Sequence, residues 1–129
     1  MEDFEAFLVR REAAAKEFCR GRPESLVALS SRQEPVSFFG PDGGVVEGAE
    51  TVIEANTRAS KTFGSNGQTS FDILQAEADG DLGFWCGVQK AVVEVGGKLT
   101  PMTLRVTEVF RREGEKWKLV HRQADELKA

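Results

Sequence analysis

The stretch from residue 104 to residue 125 decides the fold: LRVTEVFRREGEKWKLVHRQAD. Apolar and polar residues alternate on both sides of Glu113-Gly114, which predicts two long antiparallel strands joined by a tight turn. One predicted face is apolar except for Glu108 and His121, the only histidine in the chain. Because unpaired polar groups are costly to bury, an acid and an imidazole on this face indicate a pocket.

Upstream of this hairpin, the same alternation predicts two further strands, so that the second half of the chain forms an antiparallel meander. The predicted strands are Gln68–Ala78, Leu82–Val95, Leu99–Arg112 and Lys116–Asp125. They meet at Asp79-Gly80, Gly96-Gly97 and Glu113-Gly114, each of which is a candidate two-residue hairpin turn.

The first half of the chain is predicted to be mostly helical. Apolar residues recur at helical spacing over residues 3–20, while charges that include Arg10 and Arg11 mostly occupy the other side. Gly21 is expected to end this helix. Further elements are predicted as helices at Pro23–Ser30 and Glu50–Phe63, a strand at Glu34–Phe39 and a short strand at Val45-Val46. This order predicts an α+β fold with helices covering one face of a curved sheet.

Strand pairing predicts which side chains face the helices. If every turn contains two residues, Trp85 lies opposite Glu108, His121 lies diagonally from Glu108, and Asp72 falls on the same face. The expected inner face comprises Asp72, Leu74, Ala76, Trp85, Gly87, Gln89, Leu104, Val106, Glu108, Phe110, Trp117, Leu119 and His121. Arg105 and Arg122 are expected on the outer face, among apolar residues that a partner would cover. A bulge in any strand would exchange the faces beyond it.

Length and charge narrow the class of protein. A chain of 129 residues fits one domain, 1–129. The net charge of −4 and the pI near 5.1 argue against nucleic acid or an anionic membrane as a partner. We expect a cytoplasmic protein, because the N-terminus has no apolar signal region and no segment is long enough to span a bilayer.

The sequence predicts neither a metal site nor a cofactor. Its two cysteines, Cys19 and Cys86, have no metal-type spacing, and one histidine cannot supply a ligand cluster. We expect both to be reduced, buried thiols. Gly43-Gly44 belongs to a turn and does not match a phosphate-binding fingerprint.

Three segments carry a resemblance to a known superfamily: FFGPDGGVVEGAETV at 38–52, GDLGFWCG at 80–87, and the hairpin at 104–125. The chain resembles the nuclear-transport-factor-2-like superfamily, in the SnoaL-like branch related to ketosteroid isomerase. The resemblance implies a cone-shaped α+β fold, in which three N-terminal helices close a bent antiparallel sheet around a central pocket. It also implies a homodimer that forms through the outer face of the sheet.

The chain departs from the isomerase pattern at two of its three catalytic positions. Gly40 stands before Pro41, where the isomerase carries its basic carboxylate, and the chain has no tyrosine for the oxyanion hole. Glu108 matches the position of the second oxyanion donor. Gln123 follows Arg122 where many relatives carry a second histidine.

These observations favour binding of a small, largely apolar organic molecule in the pocket. Glu108 and His121 are the candidate acid and base for isomerase-like or hydrolase-like chemistry, and Trp85, Asp72, Phe38 and Val106 are the candidate ligand-binding residues. The alternative is a non-catalytic binding or dimerisation module in which Glu108 and His121 form a structural pair. A further alternative is an enzyme that uses Asp72, Gln89 and Arg105.

Overall fold

A computed structural model describes residues 2–128 as three helices and six strands. The helices are α1 (Phe4–Phe18), α2 (Glu24–Leu29) and α3 (Ala49–Lys61). The strands are β1 (Ser37–Phe39), β2 (Val45–Glu47), β3 (Gln68–Asp79), β4 (Leu82–Val95), β5 (Lys98–Glu113) and β6 (Lys116–Glu126). The predicted α+β order is confirmed.

The six strands form one mixed sheet in the order β2-β1-β6-β5-β4-β3. All neighbours are antiparallel except β1 and β6, which run parallel. The sequence did not predict this parallel pair, because it joins segments more than 80 residues apart and leaves no local turn signal. This pairing adds β1 and β2 to the sheet beside β6 and places Phe38 next to Arg122.

The helices pack on one face of the sheet around an aromatic core. Phe7, Trp85, Phe110 and Trp117 are fully buried in this core. Phe7 and Phe110 lie edge to face with ring centroids 4.9 Å apart, a favourable aromatic geometry. We call the sheet face toward the helices the inner face and the opposite one the outer face.

Two of the three hairpin turns lie one residue later than predicted. The loops are Gly80-Asp81 and Gly114-Glu115, because Asp79 pairs with Leu82 and Glu113 pairs with Lys116. Gly80 and Gly114 adopt positive φ angles of 62° and 63°, a conformation that favours glycine at the first loop position. The turn at Gly96-Gly97 is confirmed.

Two β-bulges change which side chains face the helices. One lies in β3 at Leu74, between the pairs of Ile73 and Gln75, and the other lies in β6 at Val120. Each adds one residue on one strand, so the alternation reverses beyond it. The predicted faces are therefore wrong for Asp72 and for the end of β6.

No helix among residues 2–128 is long and apolar enough to cross a membrane.

Gly67 allows the end of α1 to approach the start of β3. A Cβ atom on Gly67 would collide with the backbone carbonyl oxygen of Cys19. The carbonyl of Gly67 also accepts a hydrogen bond from Arg20 Nε at 3.0 Å. We predict that Gly67→Ala lowers the free energy of unfolding by about 1–3 kcal/mol, as measured by urea denaturation. Ser65→Ala, at an exposed neighbour, is the control and should have little effect; equal losses would contradict the close contact.

Candidate functional site

The centre of the candidate site is the fully buried carboxylate of Glu108 on β5. Its Oε1 accepts hydrogen bonds from Arg11 Nε at 2.9 Å and Trp85 Nε1 at 2.7 Å. Its Oε2 accepts from Arg11 Nη2 at 2.7 Å and Arg122 Nη1 at 2.8 Å. We call these four residues the Glu108 cluster. Four charge-assisted or indole donors leave this carboxylate fully engaged.

Helix α1 places Arg11 in the interior because Arg11 lies on its apolar stripe. Phe7 and Ala15 lie one helical turn before and after it, and both are buried. The Arg11 side chain is only 3% exposed, and its guanidinium carbon lies 5.4 Å from the ring centroid of Phe71. The planar guanidinium of arginine can donate two parallel hydrogen bonds to one carboxylate. The bidentate pair of Arg11 and Glu108 therefore fixes both the rotation and the height of α1 over the sheet.

The bulge at Val120 places Arg122 in the interior. Beyond it, Arg122 pairs with Glu108 and His121 pairs with Val109. Without the bulge, the register would set His121 opposite Glu108. The bulge thus gives Glu108 a second cation on the neighbouring strand.

A chain of hydrogen bonds continues from Arg122 across the sheet. Arg122 Nη2 donates to Gln89 Oε1 at 2.6 Å, and Gln89 Nε2 donates to Thr69 Oγ1 at 3.0 Å. Thr69 Oγ1 donates to the carbonyl of Lys90 at 3.0 Å. The amide of Gln89 is satisfied at both ends, which holds Arg122 in one orientation.

The surroundings of Glu108 keep it ionised. Burial alone would raise the pKa of its carboxyl, but the charges and hydrogen bonds of Arg11 and Arg122 outweigh burial and lower the pKa from 4.5 to about 2. A carboxylate with this pKa and four donors is a permanent countercharge near neutral pH. It is poorly suited to exchange protons with a bound molecule.

A cavity of about 310 Å³ lies beside the Glu108 cluster, between the helices and the inner face. Its walls are mostly apolar, and include Phe18, Phe38, Leu104 and Leu119. Its polar lining comprises Arg11, Cys19, Asp42, Asn56, Gln89 and Arg122. A concave apolar site with a few polar groups is the usual form of a small-molecule site.

Three of the predicted ligand-binding residues differ in how they lie relative to this cavity. Phe38 lines it, whereas Val106 is buried in the core and does not contribute to its lining. Trp85 pairs directly with Glu108 and donates to it, as the predicted register required. Trp85 is fully buried and stacks on Phe71, with ring centroids 4.5 Å apart, so it orients Glu108 rather than forming a wall.

The predicted pairing of Glu108 with His121 is wrong. His121 lies beyond the Val120 bulge, and its Nδ1 is 2.7 Å from Ser37 Oγ. Its ring meets Phe39 edge to face at 4.7 Å. His121 does not line the cavity, so the two residues form neither the expected acid–base pair nor the alternative structural pair.

The expectation that Asp72 faces the pocket is also wrong. Asp72 is exposed and pairs with Val88 on the outer face, because the Leu74 bulge reverses the alternation of β3. Arg105 lies on the same face, paired with Asp125. Of the three residues in the alternative enzyme hypothesis, Asp72 and Arg105 therefore lie outside the cavity, and only Gln89 lines it.

Sequence reasoning missed Arg11 and Arg122 as partners of Glu108. Arg11 had a signal, because it is the one charge at a position that continues the stripe of Phe4, Phe7 and Phe18. Arg122 had none, because its inward position depends on the bulge. Free Cys19 is buried in the lining, as expected, and burial raises the pKa of its thiol; Cys86 is only half-buried.

No group of three or more His, Cys, Asp or Glu side chains that could hold a metal ion occurs within residues 2–128.

A family model of the SnoaL-like domain matches residues 12–124. The chain belongs to the SnoaL-like domain family. A search of curated protein sequences gives no match. The resemblance of the hairpin at 104–125 to this branch is thereby confirmed.

Solved structures share the fold of this SnoaL-like protein. A candidate dehydratase of the nuclear-transport-factor-2-like family from Streptomyces avermitilis is 21% identical, covers 97% of this chain and 96% of its own, and has a TM-score of 0.80. A superfamily protein from Salmonella enterica serovar Typhimurium is 15% identical over 95% and 87%, with a TM-score of 0.77. A ketosteroid isomerase-like protein from Erwinia carotovora atroseptica is 14% identical over 88% and 87%, with a TM-score of 0.69.

The Glu108 cluster makes a testable contribution to stability. Glu108→Gln leaves the buried guanidinium of Arg11 and the partly buried guanidinium of Arg122 without their countercharge, and we predict a loss of about 3–5 kcal/mol in the free energy of unfolding at pH 7. Because the folded pKa of Glu108 lies below its value of about 4.3 in an unfolded chain, its contribution is complete above that value. It is lost as the pH falls towards about 2.

Urea denaturation of the parent and the variant between pH 7 and pH 3 measures both effects. The stability difference between the two proteins should shrink as the pH falls. Asp125→Asn is the matched control, since it removes a carboxylate from the exposed pair with Arg105, and surface pairs contribute little. A pH-independent difference for Glu108→Gln would contradict the ionised cluster.

Proposed function

We propose that this SnoaL-like protein binds a small, largely apolar organic molecule in the cavity beside the Glu108 cluster. The observation that carries the proposal is the cavity itself, whose volume of about 310 Å³ is bounded mainly by apolar side chains. This volume falls at the lower end of the range of roughly 300–1,000 Å³ typical of small-molecule sites. Burial of an apolar ligand surface there would supply the main driving force for binding.

The family supports a small-molecule function. Its fold often serves small-molecule binding or isomerase and dehydratase reactions, and neighbours are described as a candidate dehydratase and as ketosteroid isomerase-like. The proposal assigns no proton transfer to Glu108 or His121. Glu108 is held ionised by its partners, and His121 lies away from the cavity lining.

Filling the cavity tests the proposal. Ala55 on α3 lines the cavity, so we predict that Ala55→Phe occupies ligand space and lowers ligand affinity at least tenfold. The measurement is native mass spectrometry for a co-purifying small molecule, followed by titration of that molecule into both proteins. Glu54→Phe is the control, because it adds the same side chain at an exposed neighbour outside the lining. Equal binding by Ala55→Phe and the parent would contradict the site.

We also propose that two copies pair through their outer faces, as the family resemblance implies. The outer face carries the exposed side chains of Leu74 and Leu127, at 69% and 42% exposure, around the Arg105–Asp125 ion pair. Covering exposed apolar patches of this kind favours association.

Charge reversal on the outer face tests the dimer. Arg105→Glu would place two carboxylates side by side at Asp125, and we predict a shift of the sedimentation mass towards that of one 14.2 kDa chain. Arg58→Glu, on an exposed part of α3, is the control and should leave the mass unchanged. A parent protein that sediments as a single chain would refute the pairing.

A further inference from the structure

We infer that the bound molecule carries a single anionic group, such as a carboxylate, that docks on Arg122 at the sheet end of the cavity. This inference rests on the proposed function, since it names the chemical class of the molecule proposed to occupy the cavity. The ligand class is thus an apolar organic acid: one negative head and a compact apolar body.

The charges that line the cavity do not balance. Arg11 and Arg122 both line the cavity and share one carboxylate, that of Glu108. The interior cluster therefore holds one positive charge in excess. Because an uncompensated charge is costly in a poorly hydrated interior, this end of the cavity favours a ligand anion and repels a ligand cation.

The other titratable groups in the cavity lining do not cancel this excess. Asp42 belongs to the exposed turn between β1 and β2, where its Oδ1 accepts a hydrogen bond from Gly44 N at 2.8 Å. Cys19 is buried, and burial raises the pKa of its thiol, so it stays neutral near pH 7. The sheet end of the cavity thus has a positive charge without a counterion.

Arg122 also has a free hydrogen-bond donor. Arg122 uses Nη1 for Glu108 and Nη2 for Gln89, and its Nε has no hydrogen-bond partner within residues 2–128. The Arg122 side chain retains 16% exposure. A guanidinium can donate in several directions at once, so Arg122 can keep both protein contacts and still receive an anion.

Two further donors lie near this end. Asn56 on α3 lines the cavity together with Arg122, and its side-chain amide has no partner within the described chain. Arg11 Nη1 is buried and also lacks a partner there. Polar groups of this kind normally find a hydrogen bond, and an anion at the sheet end would supply an acceptor.

The apolar walls of the cavity limit how polar the rest of the ligand can be. Phe18, Phe63, Met102, Leu104 and Leu119 line the cavity. A body with several polar groups would lose its hydration without replacement. The binding energy therefore divides between an apolar body and one charged head.

Matched pairs of acids and amides test the inference on the unmodified protein. The probes are octanoate, 4-phenylbutyrate and 2-naphthoate, each compared with its primary amide by isothermal titration calorimetry at pH 7. We expect at least one acid to bind ten or more times more tightly than its amide, because charge-assisted hydrogen bonds are stronger than neutral ones. An acid and an amide that bind equally would overturn the inference and leave the proposed function standing. Failure of every probe to bind, with no co-purifying molecule, would overturn both.

Variants of Arg122 locate the head group. Arg122→Gln should remove the preference for the acid while retaining weak binding of the amide, and Arg122→Lys should restore part of the preference. Arg58→Gln, which removes an exposed arginine from α3 outside the cavity lining, should leave the preference intact. If Arg122→Gln folds, as judged by circular dichroism, and keeps the full preference, the anion site is elsewhere and the inference is overturned. If it fails to fold, Arg122→Lys provides the same comparison: an undiminished preference would refute docking of the anion on the Arg122 guanidinium and overturn the inference.

Discussion

A carboxylate can remain charged in a protein interior only if cations and hydrogen-bond donors replace its water. Glu108 meets this condition through Arg11, Arg122 and Trp85, which come from one helix and two flanking strands. The rest of the interior depends on this arrangement. It fixes α1 over the sheet, sets the register of β6 against β5, and places a surplus positive charge beside the cavity.

Such a cluster is weak as a source of net stability, because desolvation of the charges offsets much of their attraction. Its hydrogen-bond geometry is restrictive, since the Arg11 guanidinium can bind the Glu108 carboxylate through two hydrogen bonds in only a few orientations. An apolar replacement of similar volume would pack but would permit several positions of α1. The cluster therefore ties α1 to three strands of the sheet beside the cavity.

The sequence predicted the elements better than the faces. Alternation from Gln68 to Asp125 and the glycine turns gave the four long strands, and the pairing of Trp85 with Glu108 followed from them. The bulges at Leu74 and Val120 have no local signature, because neither contains glycine or proline, and they moved Asp72 and His121 to the outer face. Asp72 and His121, whose orientation depends on a bulge in their own strand, were therefore misplaced. Phe38, on the regularly paired strand β1, lines the cavity.

The single extra residue at Val120 separates two alternative interiors. If Val120 paired with Val109 in a regular ladder, with the length of the chain unchanged, the alternation of β6 would continue and bring an imidazole, instead of a guanidinium, across from Glu108. The permanently charged guanidinium of Arg122 would then be replaced by the imidazole of His121, a type of side chain that ordinarily titrates near neutrality. The gain or loss of a bulge within a strand is therefore a route by which chains with this fold can acquire or lose acid–base chemistry while the surrounding residues stay the same.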